Sequence, residues 1–237
     1  MTIIAFDLDD TLYDRTLPLK KTFKEFSATK QLNFSQIYPI YQKNSDIGFE
    51  QVTRKRWTLE ESYVFRIQET LQEVNITITK QEALAFQAMY KNNQEHIELR
   101  PYIKEILDFL QDKGIQTLII TNGPSCNQRK KVKNLGLNNY FSDKEIIVSE
   151  EEHLAKPDRR IFELAEDRFH FTKQAAWYIG DNYQIDMIGA HQAGWTGVWL
   201  NPAKQLPANQ PSVADKTVHT TEELKYYLFH VLKAMSK

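Results

Sequence analysis

Short apolar runs recur along the chain, separated by segments whose apolar residues return at helical spacing. Ile3 to Phe6, Gln116 to Ile120, Glu145 to Val148, Ala175 to Ile179 and Thr196 to Leu200 are too short for helices, rich in β-branched and aromatic residues, and bounded by turn-forming ones. Apolar strands alternating with helices predict a parallel sheet covered on both faces, hence an α/β core. The intervening helices carry their own punctuation. Pro101 to Leu110 opens on proline and is followed by Gly114, Lys131 to Leu135 stops at Gly136, and Arg159 to Phe169 follows Pro157. Asn201 to Pro211, with Pro202, Pro207 and Pro211, reads as a surface loop before a last amphipathic helix, Thr221 to Met235.

Residues 17 to 98 follow another rule. They hold no strand-like run and no glycine except Gly48, and stretches such as Leu59 to Ile67 keep a 3.6-residue period. This is a helical insert between the first strand and the next strand-helix unit, so it is expected above the carboxyl edge of the sheet, where open α/β sheets bind ligands. Its aromatic residues Trp57, Tyr63, Phe65, Phe86 and Tyr90 are dense enough to stack a base, but their spacing also suits packing of the insert's own helices.

Composition narrows the picture. The 237 residues are 41% hydrophobic and 26% charged, enough for a sizeable core and a satellite. A formal net charge of −1 gives no field for a polyanion, so nucleic acid is not expected as partner. The lone Cys126 cannot form an internal disulfide, and no apolar run is long enough for a signal peptide core or membrane span, so a cytoplasmic location is expected.

Four polar signals fall at predicted strand ends. Phe6-Asp7-Leu8-Asp9-Asp10-Thr11-Leu12 sets carboxylates directly after a buried strand, a setting that suits a hard dication and a substrate phosphate, although an ordinary solvated aspartate turn looks similar. Thr121-Asn122-Gly123 brings a hydroxyl, an amide and backbone N–H groups to another strand exit, where they can cradle a phosphate oxygen or simply form the exit. Lys156 before Pro157 could neutralise a carboxylate and a phosphate, or be a surface pair. Gly180-Asp181 ends a further strand; Asp186, five residues on in the next helix, can reach back to a lysine or metal-bound water, or offset the helix dipole.

Taken in order, these residues resemble the haloacid-dehalogenase-like hydrolase superfamily. Asp7-Leu8-Asp9-Asp10-Thr11 is similar to its first motif, Thr121 to its second, Lys156 to its third, and Gly180-Asp181 with Asp186 to its fourth. The resemblance implies a Rossmann-like parallel-sheet catalytic core of residues 1–15 and 100–237 with an all-helical C1 cap of residues 16–99, Leu12 to Thr16 forming hinge and flap. It implies that Asp7 is the nucleophile, that Asp9 is acid and then base, and that Thr121 and Lys156 hold the phosphoryl group with Asn122 and Gly123 beside them. It further implies Mg2+ at Asp7, the Asp9 main-chain oxygen and Asp181, with Asp186 orienting Lys156 or a magnesium water. Thr121-Asn122-Gly123, Ser149-Glu150-Glu151 and Val198-Trp199-Leu200-Asn201 are similar to bacterial members described as pyrimidine 5′-nucleotidases.

The expected function is therefore magnesium-dependent hydrolysis of small phosphomonoesters, nucleoside 5′-monophosphates among them. A phosphoglucomutase-like transferase and a catalytically silent binding domain remain open alternatives on the same fold. The expected partner is a small phosphorylated metabolite, with neither nucleic acid nor membrane; the oligomeric state is not readable.

Overall fold

The computed structural model describes residues 2–207 and 211–235. Met1 and positions 208–210 of the expected Asn201 to Pro211 loop thus lie outside the described residues. The chain divides into two compact units, one of Met1–Asp14 and Glu98–Lys237, the other of Arg15–Ile97.

The second unit holds helices α1 (Thr16–Glu25), α2 (Phe34–Thr53), α3 (Leu59–Gln72) and α4 (Lys80–Glu95). Capping boxes start α3 and α4: Thr58 and Glu61, then Thr79 and Glu82, satisfy each other's free backbone N–H groups. Gly48 explains itself, since a Cβ there would stand 2.5 Å from Ser62 Oγ and hold α2 and α3 apart. The core of this unit is largely aromatic. Phe86 meets Phe23 and Phe26 edge-on at ring-centroid distances of 5.2 and 5.4 Å, which is the geometry the ring quadrupoles favour.

The first unit carries a parallel sheet of β1 (Ile3–Phe6), β2 (Gln116–Thr121), β3 (Ile146–Val148), β4 (Ala176–Gly180), β5 (Thr196–Leu200) and β6 (Lys216–Val218), in the order β3-β2-β1-β4-β5-β6. Helices α5 (Ile103–Asp112), α6 (Ser125–Asn134), α7 (Ser149–Glu152), α8 (Arg160–Phe169), α9 (Ile188–Ala193) and α10 (Thr221–Met235) complete it. β1 is buried on both faces; Ile3 and Ala5 join Leu118, Ile120, Phe162 and Tyr178 in one core cluster. None of the described helices is long and apolar enough to cross a membrane.

Differences from the sequence reading are local and have physical causes. Strand β3 begins at Ile146 because Glu145 closes a capping box with Ser142, and α5 begins at Ile103 because Tyr102 sits at φ 65°. Lys131 to Leu135 is the end of the longer helix α6. Asp186 lies in a wide π turn, Tyr183–Met187, that leads into α9. The strand β6 was not expected: its three residues are exposed, half-buried and buried in turn and show no strand pattern.

Register sets up the site. Phe6, the last residue of β1, pairs with Ile119 on one side and Ile179 on the other, so β1, β4 and β2 end within two residues of one level, β4 at Gly180 and β2 at Thr121. Their next residues are the polar ones. Successive strands proceed outward from β1 through β2 to β3 and from β4 through β5 to β6, so the β1–β4 boundary is the topological switch point where such sheets take ligands.

Candidate active site

Asp7 follows β1 directly, and its backbone N–H donates to Ile179 O at 2.8 Å, which fixes where its carboxylate points. The side chain is almost wholly buried. Such a charge survives only with partners, and Lys156, equally buried, is the first of them. Its Nζ donates to Asp7 Oδ1 at 2.6 Å, to Asp186 Oδ1 at 2.8 Å and to the Tyr178 hydroxyl at 2.6 Å, using all three ammonium hydrogens. Tyr178 in turn donates to Ile120 O at 2.8 Å. Burial disfavours the charged form of Lys156, but Asp186 and Asp7 outweigh it and hold the ammonium well above its ordinary range. Burial lifts the Asp7 carboxyl to about 7 against the opposing charge of Lys156, and the neighbouring carboxylates add to that rise.

Asp186 reaches this cluster because Gly180 makes room. A Cβ on Gly180 would stand 2.4 Å from Asp186 Oδ2, so any larger residue would push the carboxylate away from the strand end. Asn182 fixes the turn, donating its N–H to Asp186 Oδ2 at 3.0 Å while its side chain accepts from Gln184 N and Ile185 N at 3.0 and 3.1 Å. Asp181 is pinned through its main chain, whose oxygen accepts from Trp199 Nε1 at 2.8 Å.

Asp7, Asp181 and Asp186 each offer a carboxylate oxygen within 4.8 Å of the others. Lys156 reaches Asp7 and Asp186 of these three, and the closely grouped carboxylate oxygens offer donors to a divalent cation. An all-oxygen donor set suits a hard ion such as magnesium, so these residues fit the expected metal.

Asp9 stands apart from that cluster and has its own cation. Lys131 Nζ lies 2.7 and 2.8 Å from its two oxygens, Gln128 Nε2 donates to Oδ2 at 3.0 Å, and the Tyr13 hydroxyl donates to Oδ1. Burial alone would raise this carboxyl, but the charge and hydrogen bonds of Lys131 hold it below its ordinary range, so Asp9 rests ionised. Thr121, fully buried at the end of β2, accepts from Gln128 Nε2 at 2.5 Å.

Asn122 and Gly123, expected beside the phosphate, take part in the frame of the site. The Asn122 side chain brackets the Lys156 backbone, donating to its O at 2.8 Å and accepting from its N at 3.0 Å, and Gly123 N donates to Ser149 Oγ at 3.0 Å. The structure thus brings Asp7, Lys156, Asp181 and Asp186 into one cluster and Asp9 and Thr121 into an adjoining one bridged by Gln128.

Sequence reasoning missed Tyr13, Gln128, Lys131 and Tyr178. Gln128 had a signal: it shares helical spacing with Val132 and Leu135, so a buried amide stands where the apolar face of α6 predicts a hydrocarbon. Tyr178 had a weaker one, a lone hydroxyl in a strand buried along its length.

Comparison with known proteins agrees with this architecture. A family profile described as hydrolase, haloacid dehalogenase-like hydrolase, matches residues 1–194. The phosphoserine phosphatase of Thermus thermophilus is 27% identical over 229 residues, covering 85% of this chain and 89% of its own length. The pyrimidine 5′-nucleotidase YjjG of Escherichia coli is 26% identical over 226 residues, covering 93% and 96%. Among solved structures, the magnesium-bound hydrolase YfnB of Bacillus subtilis superposes with a TM-score of 0.68 at 24% identity, covering 96% of this chain and 98% of its own, which speaks to the fold.

Proposed function

The chain belongs to the haloacid dehalogenase-like hydrolase family, and from that premise we propose that it is a magnesium-dependent phosphatase of small phosphomonoesters, nucleoside 5′-monophosphates among them, working through a phosphoaspartate on Asp7. The observation that carries this reading is the buried Asp7–Lys156–Asp186 contact at the carboxyl ends of β1 and β4, a charged arrangement that folding alone does not reward.

In this reading an Asp7 oxygen attacks phosphorus and the bond from phosphorus to the leaving alcohol oxygen breaks. Asp9, ionised in the free protein, takes up the proton of the bound phosphomonoester monoanion and passes it to that oxygen, then takes a proton from the water that attacks the phosphoaspartate, releasing phosphate and restoring Asp7. Lys156 fixes one Asp7 oxygen, Asp186 and Tyr178 hold Lys156 in place, and Thr121 offers its hydroxyl to a phosphoryl oxygen. Asp7, the Asp9 main-chain oxygen and Asp181 would hold the dication, which would supply the charge neutralisation that lets a carboxylate approach a phosphate dianion. Choice of substrate falls to the helical unit, which resembles the family's cap.

The test is phosphate release with magnesium from a panel drawn from the relatives: phosphoserine, pyrimidine nucleoside 5′-monophosphates and glyceraldehyde 3-phosphate. Release from at least one, lost in Asp7→Asn, is expected. No release from any of these or other common monoesters at high enzyme concentration contradicts the reading.

A further inference from the structure

Gln128 and Lys131, one turn apart on α6, touch neither Asp7 nor the carboxylate cluster, yet they sit between Asp9 and Thr121. Lys131 Nζ lies 2.7 Å from one end of the Gln128 amide. An ammonium can only donate, so that end is the carbonyl oxygen, and the other end is the NH2 group. The amide nitrogen faces Asp9 Oδ2 at 3.0 Å, Thr121 Oγ1 at 2.5 Å and Asn122 O at 3.2 Å. An NH2 group is donor only, so the Thr121 oxygen must accept there, and its own hydrogen is left to point elsewhere. Among the described residues no acceptor takes that hydrogen.

We propose that Lys131 is a positioning residue that sets the direction of this hydrogen-bond chain, so that Thr121 presents its hydroxyl as a donor to a bound phosphate. The inference rests on the phosphatase reading only in placing phosphate at Thr121. Without Lys131 only Asp9 Oδ2 and Asn122 O hold the Gln128 amide in this sense, and in the larger fraction that turns over the amide oxygen accepts the Thr121 hydrogen and withdraws the donor from the ligand. Lys131 also donates to both Asp9 oxygens, so the same cation orients the acid-base residue and the phosphate donor. The buried position of Gln128, at 1% exposure, keeps water from competing for either end of the amide.

The experiment is a double-mutant cycle read by calorimetric binding of inorganic phosphate in the presence of magnesium, using the full chain. Thr121→Val is expected to weaken binding about tenfold, the effect of one hydrogen bond to a charged group. Lys131→Met should weaken it about threefold in the wild-type background and leave it unchanged in the Thr121→Val background, because it acts through the hydroxyl that this substitution removes. Lys131→Arg, another donor-only cation, should restore wild-type binding. Gln128→Met, which removes the amide, should make phosphate binding indifferent to Lys131→Met, and Lys131→Ala takes its place in both comparisons if Lys131→Met proves unstable to handle. Equal weakening by Lys131→Met in both backgrounds would show that Lys131 acts by charge alone and overturns the proposal, as does no weakening at all. A wild-type protein that binds phosphate but hydrolyses no monoester sinks the phosphatase reading and leaves the cycle decisive; one that binds no phosphate sinks both.

Discussion

The two units bury polar groups for opposite reasons. In the helical unit the buried polar side chains are neutral and close on near neighbours: Thr22 Oγ1 donates to Pro18 O at 2.8 Å, Thr29 Oγ1 to Phe23 O at 2.7 Å, and Asn44 Nδ2 to Thr70 Oγ1 at 3.2 Å. In the sheet unit the buried set includes Asp7, Lys156 and Asp186, drawn from three separate segments and charged. Neutral pairs tie helices together at little cost. Buried ions rarely repay their desolvation in stability, so their presence at the strand ends marks a site kept for chemistry.

That contrast predicts how substitutions divide, and the largest effect tests it hardest. Asp7→Asn should lower phosphate release by about a thousandfold or more, because an amide cannot form the acyl phosphate. Its melting temperature should stay level or rise, since it removes one of the carboxylates that repel one another. A melting temperature that falls as far as that of a core cavity variant would break the contrast. Lys156→Met should be costly on both counts: activity lost, and unfolding free energy lowered by about 3–5 kcal/mol, because two buried carboxylates lose their cation. Urea unfolding at fixed pH reads the second quantity.

In the helical unit the order reverses. Phe86→Ala removes a ring at 1% exposure from the Phe23 and Phe26 contacts, and should cost about 3–5 kcal/mol in the same unfolding measurement. Asn93→Ala breaks the bonds from Asn93 Nδ2 to Thr22 Oγ1 at 3.0 Å and Glu25 Oε2 at 3.2 Å, and should cost only about 1–2 kcal/mol. If Asn93→Ala cost as much as Lys156→Met, buried neutral and buried charged groups would not differ here as argued.

The same contrast explains what could be read from the chain. Strand ends were legible because Ile3 to Phe6 or Leu118 to Ile120 is apolar on both faces and then stops abruptly at Asp7 or Thr121, a change no helix periodicity produces. Lys131 was not, because α6 carries Arg129, Lys130, Lys131 and Lys133 together, and only folding decides which of these cations turns toward Asp9. The contact of the Asn122 side chain with the Lys156 backbone was not legible, because it depends on the return of the chain at residue 156. In the helical unit the aromatic ambiguity resolves toward packing for Phe86, in the core, and for Trp57 and Phe65, whose rings lie 4.8 Å apart. Tyr63 stands instead over the Arg66 guanidinium at 4.8 Å.

The central claim is that Asp7 and Asp181, in the carboxylate group at the ends of β1 and β4, hold a dication on which catalysis depends. A magnesium titration of EDTA-stripped protein, reading phosphate release and melting temperature together, tests it most directly. The account predicts that both rise over the same magnesium range, and that Asp181→Ala shifts both curves to higher concentration. Full activity of the stripped protein, or curves that Asp181→Ala leaves unmoved, would contradict it.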